Sequence, residues 1–497
     1  GYLGTWYANT PCSQIDCPPI SDEGACCYEI DCVWDCNMVF EEDCDALNGT
    51  FYLNTPCNQI ICPDDDFGAC CYMTADLVHV CQDNVDYNTC LDLMGMNLGA
   101  WYPAETCDCI PCENNSGGCE PTAGSNCVGP PQYPYPDYTI FGSGTIGAQT
   151  ASPSIDGGSV LMLFDLNGPP LPLPVGVNLD PYIYNHPSWA GTGNDLGSIF
   201  GLAIDEDGNI YVSTTKTWNG GDPVGIGGWG AIYKIDTNDA SISVWATLPM
   251  PNNESGLGSL TYDCEHSQFF ATSFEDGLIY RLDMNGNILD SFDHGSPYDQ
   301  SIGGPVAFGD RPWAVEVNGN RLYYSLWNGN KNGAGSMPNE IWSIGLDATG
   351  SPIAGTEHLE ITMPLYVNDW SSPVADIDFS PTGTMVLGER MQISITSLAA
   401  HEARAFEYEC TAGGWVQTVN QFDVGVNGTD AAGGVDATDE YVWASGDSLE
   451  FGPDYIYGFQ GMPTTGGNVF NSVLVDYQGN VTSWTADKKM LGDLVIT

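Results

Sequence analysis

Cysteine is the residue type with the most evident chemistry in this chain, which holds twenty of them. Eighteen fall before residue 128, and only Cys264 and Cys410 lie beyond. Gly24-Ala-Cys26-Cys27-Tyr28 is followed by Cys32, Cys36, Cys44, Gly49-Thr-Phe51-Tyr52, Cys57 and Cys62. A second copy reads Gly68-Ala-Cys70-Cys71-Tyr72, Cys81, Cys90, Gly99-Ala-Trp101-Tyr102, Cys107, Cys109 and Cys112. Six cysteines align between the copies, at offsets of 44 to 50 residues. Half a copy stands in front, with Gly4-Thr-Trp6-Tyr7, Cys12 and Cys17, and a separate pair, Cys119 and Cys127, can close a small loop behind. Cysteines at this density in short repeats form a disulfide framework in an oxidising compartment. Zinc would need histidines or paired Cys-x-x-Cys knuckles, whereas only His79 and the single match Cys109-Ile-Pro-Cys112 are present. Adjacent residues of an extended chain point to opposite sides, so Cys26 and Cys27, like Cys70 and Cys71, are expected to take different partners. Six cysteines allow 15 pairings, and spacing does not choose among them.

Other motifs carry less. Asp283-Met-Asn285-Gly-Asn287 begins like a calcium loop, with oxygens at its first, third and fifth positions. It departs where Ile288 replaces the turn glycine and His294 the closing glutamate. Those three oxygen donors are the metal candidates, with calcium the ion, and nothing in the sequence requires a cofactor. Asp205-Glu206-Asp207 reads as a hairpin turn. Gly225-Ile-Gly227-Gly-Trp-Gly230 fits the dinucleotide fingerprint in spacing, but a strand pattern follows where a helix is needed. His401-Glu402 opens like a zinc-protease helix, yet Ala405 stands where the second histidine belongs. The six histidines, at 79, 186, 266, 294, 358 and 401, are scattered, and no serine elbow or phosphate loop occurs. No catalytic set results. Five Asn-x-Ser/Thr sequons, at Asn48, Asn114, Asn253, Asn427 and Asn480, are glycosylation candidates.

A formal net charge of −55 comes mainly from missing base: ten Lys and Arg face 65 Asp and Glu, and no base precedes Lys216. Such a surface repels nucleic acid and anionic membranes and attracts cations. No apolar run of about 18 residues marks a membrane span. No signal peptide is visible, so the chain reads as already processed or as part of a longer product.

The elements that must position these residues come in two grammars. Each cysteine unit, of about 45 residues, is too small to hold itself by burial alone, and disulfides of about 2–4 kcal/mol each would supply the deficit. Phe51 and Trp101, with Trp6, are the large apolar residues such cores would be built on, or alternatively rings that stack on a ligand. This gives a partial repeat at 1–23, repeats at 24–67 and 68–112, and a connector at 113–137. The connector ends in Gly129-Pro-Pro-Gln-Tyr-Pro-Tyr-Pro136, an extended, semi-rigid spacer.

From residue 138 short strands alternate with Gly, Asp and Asn turns. Leu202-Ala-Ile-Asp205-Glu-Asp-Gly208-Asn-Ile-Tyr211-Val is the clearest copy of a four-stranded unit. The turn-entry positions 205, 263, 318, 380 and 438 lie 58, 55, 62 and 58 residues apart. Four-stranded units at this interval make a β-propeller. A mainly β chain is expected, with six blades over 138–497. The last blade would combine a first strand near Asp493–Thr497 with Thr139-Ile-Phe141, Val160–Asp165 and Tyr182–Tyr184. Seven blades follow only if Val473–Asp476 begins another.

This blade grammar resembles the NHL and SMP-30/gluconolactonase-like propellers, and the Gly-Ala-Cys-Cys units resemble cysteine-rich repeats of large secreted bacterial surface proteins. The lactonase resemblance implies acidic and amide side chains at the axial mouth holding a divalent metal that activates water. Glu316, Asn318 and Asp376 are residues of that kind. The expected function is that of an extracellular structural protein, a subunit of a surface filament, appendage or layer, self-associating through its cysteine repeats. Alternatives are a secreted metal-dependent propeller hydrolase and a glycan-binding adhesin using Trp6 or Trp101.

Overall fold

The computed structural model describes most of residues 146–497 apart from short connections, and within 23–103 six strands together with Cys44. The chain divides into two compact units, Gly1–Gly117 and Gly118–Thr497.

In the first unit, Glu23–Ile30 is the central strand of a three-stranded antiparallel sheet between Val33–Phe40 and Thr50–Leu53. Gly68–Met73 sits in the same way between His79–Val85 and Gly99–Pro103. The Gly-Ala-Cys-Cys motif therefore heads the middle strand each time. Register repeats too, with Cys27 opposite Cys36 and Cys71 opposite Cys81, and with Cys26 opposite Phe51 and Cys70 opposite Trp101. Cys26 and Cys44 are buried and joined by a disulfide, their Cα atoms 5.6 Å apart. A loop of that length, 18 residues, stabilises by about 3 kcal/mol. The side chains of the other candidate cysteines before residue 128, the ring of Trp6 and the sequons at Asn48 and Asn114 lie outside the described residues.

The second unit is a six-bladed propeller. Blades one to three are Ile199–Ile204, Ile210–Thr214, Ala231–Ile235, Ile242–Thr247; Leu257–Asp263, Gln268–Ser273, Leu278–Asp283, Ile288–Asp293; and Pro312–Asn318, Arg321–Leu326, Glu340–Gly345, His358–Thr362. Blade four is Val374–Phe379, Met385–Glu389, Ala405–Thr411, Gly414–Gln417, and blade five Ala431–Ala437, Tyr441–Phe451, Tyr455–Pro463, Val473–Asp476. First strands are wholly or almost wholly buried, while the fourth strands Ile242–Thr247 and Ile288–Asp293 alternate toward solvent. This gradient follows from the ring, in which only the inner strand meets the axis and both neighbouring blades.

Blade six closes the ring with Leu491–Ile496 paired to Ile146–Ala151, then Leu161–Asp165 and Ile183–Tyr184. Its second strand is thus Ile146–Ala151, whereas Thr139–Phe141 lies outside the described residues. Val177–Leu179 adds a fifth strand, parallel, to the outer edge of blade five at Val473–Val475. Val473–Asp476 is therefore the edge of blade five, and the count is six. The two chain segments clasp each other twice. Cys264 and Cys410, in blades two and four, are both in disulfides. Among the described residues no helix is long and apolar enough to cross a membrane.

Candidate functional site

All six inner strands break register with their second strand at corresponding places, between residues 199 and 202, 257 and 260, 312 and 315, 374 and 376, 431 and 435, and 491 and 494. A bulge re-aims the side chains on either side of it. Residues of the inner strands at and just beyond the break line one narrow channel of about 90 Å³, which holds Thr261, Glu316, Asp376, Asp378, Asp436 and Asp493. Five carboxylates thus converge where the sequence reading named Glu316 and Asp376. Asn318, named with them, is buried at the end of its strand outside this lining. Asp378, Asp436 and Asp493 were missed, although Asp378 and Asp436 stand two residues before positions 380 and 438, and Asp493 four before position 497, one further period along, much as Glu316 and Asp376 stand before 318 and 380.

These carboxylates stitch blades together. Asp376 and Asp378 of blade four accept from the Val435 and Ala437 amides of blade five, at 2.8 and 2.7 Å. Asp436 accepts from the Ile496 amide of blade six at 2.9 Å. Asp493 accepts from the Leu202 amide of blade one at 2.8 Å and the Ser259 hydroxyl of blade two at 3.2 Å. Glu316 accepts from the Thr261 hydroxyl at 2.7 Å. Hydroxyls in second strands do the same work elsewhere. Ser213, Thr272, Ser325 and Thr150 donate to the carbonyls of Gly258, Trp313, Val374 and Phe200, each in the next blade, at 2.6 to 2.7 Å. Blade four has Gly388 at this place, where the Gly433 carbonyl would lie 2.3 Å from an added Cβ. No hydroxyl fits there, and the 4–5 interface is the one held by two aspartates.

Burial pushes all five carboxyls up. Asp378 rises to about 7 and Asp493 to about 6, mainly by desolvation. Asp376 is raised well above the usual range by burial and the neighbouring Asp493 charge, and it is the proton-holding partner of a carboxyl–carboxylate pair with Asp493. Glu316 and Asp436 are raised by burial and then by Asp378. Among the described residues no group of three or more His, Cys, Asp or Glu side chains is arranged to hold a metal ion. The buried rings of Phe200, Trp218, Phe274, Trp313 and Trp327 pack together, with Phe200 and Trp313 standing within the register breaks of their inner strands. Asp378 and Asp436 also line a cavity of about 280 Å³ with Thr438, Asp439 and Thr497.

The remaining candidates fall apart in space. Asp283 accepts from the Asn285 and Asn287 amides and from Asn287 Nδ2 at 2.8 to 2.9 Å, and Gly286 takes φ 79°. The Asn287 amide leads in holding the Asp283 carboxyl low. Asp205 caps its turn through Asp207, Asn209 and Tyr211 in the same fashion. The Asp-x-x-Gly-Asn grammar is therefore a hairpin cap, which uses the oxygens that a calcium ion would want. Gly225–Gly230 is a turn leading into the strand Ala231–Ile235. Asn427 is exposed, with its amide donating to Asp430 at 3.1 Å; Asn253 and Asn480 lie outside the described residues. His266, His294, His358 and His401 contact Asp263, Tyr324, Glu360 and Asp430 respectively.

No family model and no curated protein matches the chain. Solved structures similar to it include a chain of a nidogen–laminin complex, 12% identical over 71% of this chain and 98% of that one, with a TM-score of 0.41. A gluconolactonase from Xanthomonas campestris is 12% identical over 63% and 90%, with a TM-score of 0.36. A putative 6-phosphogluconolactonase from Bacteroides fragilis is 12% identical over 71% and 98%, with a TM-score of 0.38. Likeness this distant transfers no chemistry, and the fold rests on the strand order above.

Proposed function

We propose that this is a non-enzymatic extracellular structural protein, a subunit of a surface filament, appendage or layer, which self-associates through its cysteine-rich N-terminal part. The observation that carries the non-enzymatic half is the use made of the axial carboxylates. The side chains best suited to activating water accept hydrogen bonds from the next blade. A general base must reach the proton it removes, and these groups are spent on holding inner strands in place. The disulfide between Cys26 and Cys44 and those at Cys264 and Cys410 favour an oxidising location.

The test compares oxidised and mildly reduced native protein by light scattering and electron microscopy, with a gluconolactone hydrolysis assay on the same preparation. Assemblies that dissociate on reduction, without lactone turnover, are expected. A monomer in both redox states, or metal-dependent turnover lost in Asp436→Asn, would overturn the reading.

A further inference from the structure

Beside the aromatic cluster, at the end of the propeller away from the first hairpin of each blade, lies a cavity of about 390 Å³. Among the described residues, three segments wall it. The excursion between the second and third strands of blade four brings Leu398 and His401. The second hairpin of blade five brings Asp447, Ser448, Phe451, Tyr455 and Tyr457, and the chain entering blade six brings Lys489 and Met490. A volume of this order is that of a small-molecule site, in which apolar walls carry a few converging polar groups.

Two features set it apart from an ordinary crevice. Its polar floor is built in: Asp447, Ser448 and Lys489 are 3%, 2% and 1% exposed, although they face open space. Second, His401 and Ser448 hold φ of 72° and 64°, two of only five non-glycine residues with positive φ among those described. Backbone strain of this kind costs about 1–3 kcal/mol and persists where the surroundings impose it. His401 Nδ1 is fixed 2.5 Å from Asp430 Oδ1, which leaves Nε2 for another partner. The Ser448 hydroxyl donates to Tyr457 Oη at 2.7 Å.

Charge decides the class of ligand. Asp447 is paired with buried Arg390 at 2.6 Å, and Asp430 backs His401. An anion would be repelled by a molecule of net charge −55. Six of the lining side chains offer hydroxyl, nitrogen or carboxylate groups, both donors and acceptors, and the partly exposed ring of Phe451 stands in edge contact with Tyr455. Rings that pack on C–H faces beside mixed donors and acceptors suit a neutral polyhydroxylated ring. We propose that this cavity binds a neutral saccharide of one or two rings, with Phe451 and Tyr455 stacking on it and His401 and Ser448 bonding its hydroxyls.

Saturation-transfer NMR on the full oxidised protein tests this with glucose, galactose, mannose, N-acetylglucosamine and their disaccharides, against benzoate and glucuronate as anionic probes. At least one neutral sugar is expected to bind, and both anions more weakly. Phe451→Ala, at a 46% exposed ring, should weaken that sugar about tenfold, the loss of about 1.4 kcal/mol of stacking and packing. Ser448→Gly relieves the positive φ while removing the hydroxyl, so melting should be unchanged or higher while sugar affinity falls several-fold. The proposal fails if no neutral sugar binds, if an anion is preferred, or if both variants bind as the parent does.

Discussion

Replacing Asp378 by Asn separates the stitching role of the axial carboxylates from a catalytic or metal-binding one. Asp378 lies in the channel among Glu316, Asp376, Asp436 and Asp493, and among the described residues no base lines the channel with them. Its carboxyl, ordinarily at 3.8, is raised to about 7, with burial the leading cause. A carboxyl held up in the folded state is protonated there while the unfolded chain has already lost its proton. Stability is therefore full below the ordinary aspartate range, falls as pH rises through the interval from about 4 to about 7, and is lowest above it. At about 1.4 kcal/mol per unit, Asp378 alone accounts for on the order of 4 kcal/mol across that interval, an upper limit because its neighbours titrate with it. Asparagine keeps an oxygen for the Ala437 amide and cannot ionise. Urea unfolding at pH 5 and pH 8 should show the parent losing several kcal/mol and Asp378→Asn losing clearly less, with the variant the more stable of the two at pH 8. Parallel pH curves would refute the electrostatic reasoning. So would a calcium-induced rise in the parent's stability at pH 8 that the variant lacks, because the carboxylate would then be serving an ion.

Three further outcomes follow from the same interactions. Ser213→Ala and Ser325→Ala each strand a buried carbonyl of the next blade and should cost about 1–3 kcal/mol in urea unfolding; Ser445→Ala should cost less, because that hydroxyl returns to Gly434 of its own blade. Arg404 grips buried Glu389 with Nε and Nη2 at 2.8 and 2.7 Å, so Arg404→Ala should cost about 3–5 kcal/mol, and Arg404→Lys, which keeps the charge but not the fork, should recover only part of it. Asp283→Ala removes a hairpin cap and should cost about 1 kcal/mol, while calcium titration followed by calorimetry stays identical to that of the parent.

What was legible in the sequence was what repeats with a fixed period. The spacing of the turn-entry residues located the blades because each of these turns opens on a short polar residue, Asp205, Asp263, Asn318, Ser380 or Thr438, with Asp205, Asp263 and Ser380 bonding back into their own turns. Closure through Leu491–Ile496 was legible because an inner strand is an apolar run, and this run lacked partners of its own. The second strand of the last blade was misplaced to Thr139–Phe141 because Ile146–Ala151, Ile-Gly-Ala-Gln-Thr-Ala, carries few β-branched residues; burial on both faces makes it a strand. The axial carboxylates escaped for a different reason. All five stand at even offsets from the turn, so alternation puts them on one face, but an acid on an otherwise apolar inner strand gives no signal until the blades are aligned. Aligning the five turn-entry positions with position 497 and reading two and four residues back recovers all five acids. The saccharide cavity has no such key. Its walls come from residues 398–401, 447–457 and 489–490, where no repeat holds, and its two strained residues are an ordinary His and Ser in the sequence. The propeller thus separates its legible part from its specific part: the periodic positions make the ring, and the aperiodic connections at one end make the surface on which this chain can differ from other propellers.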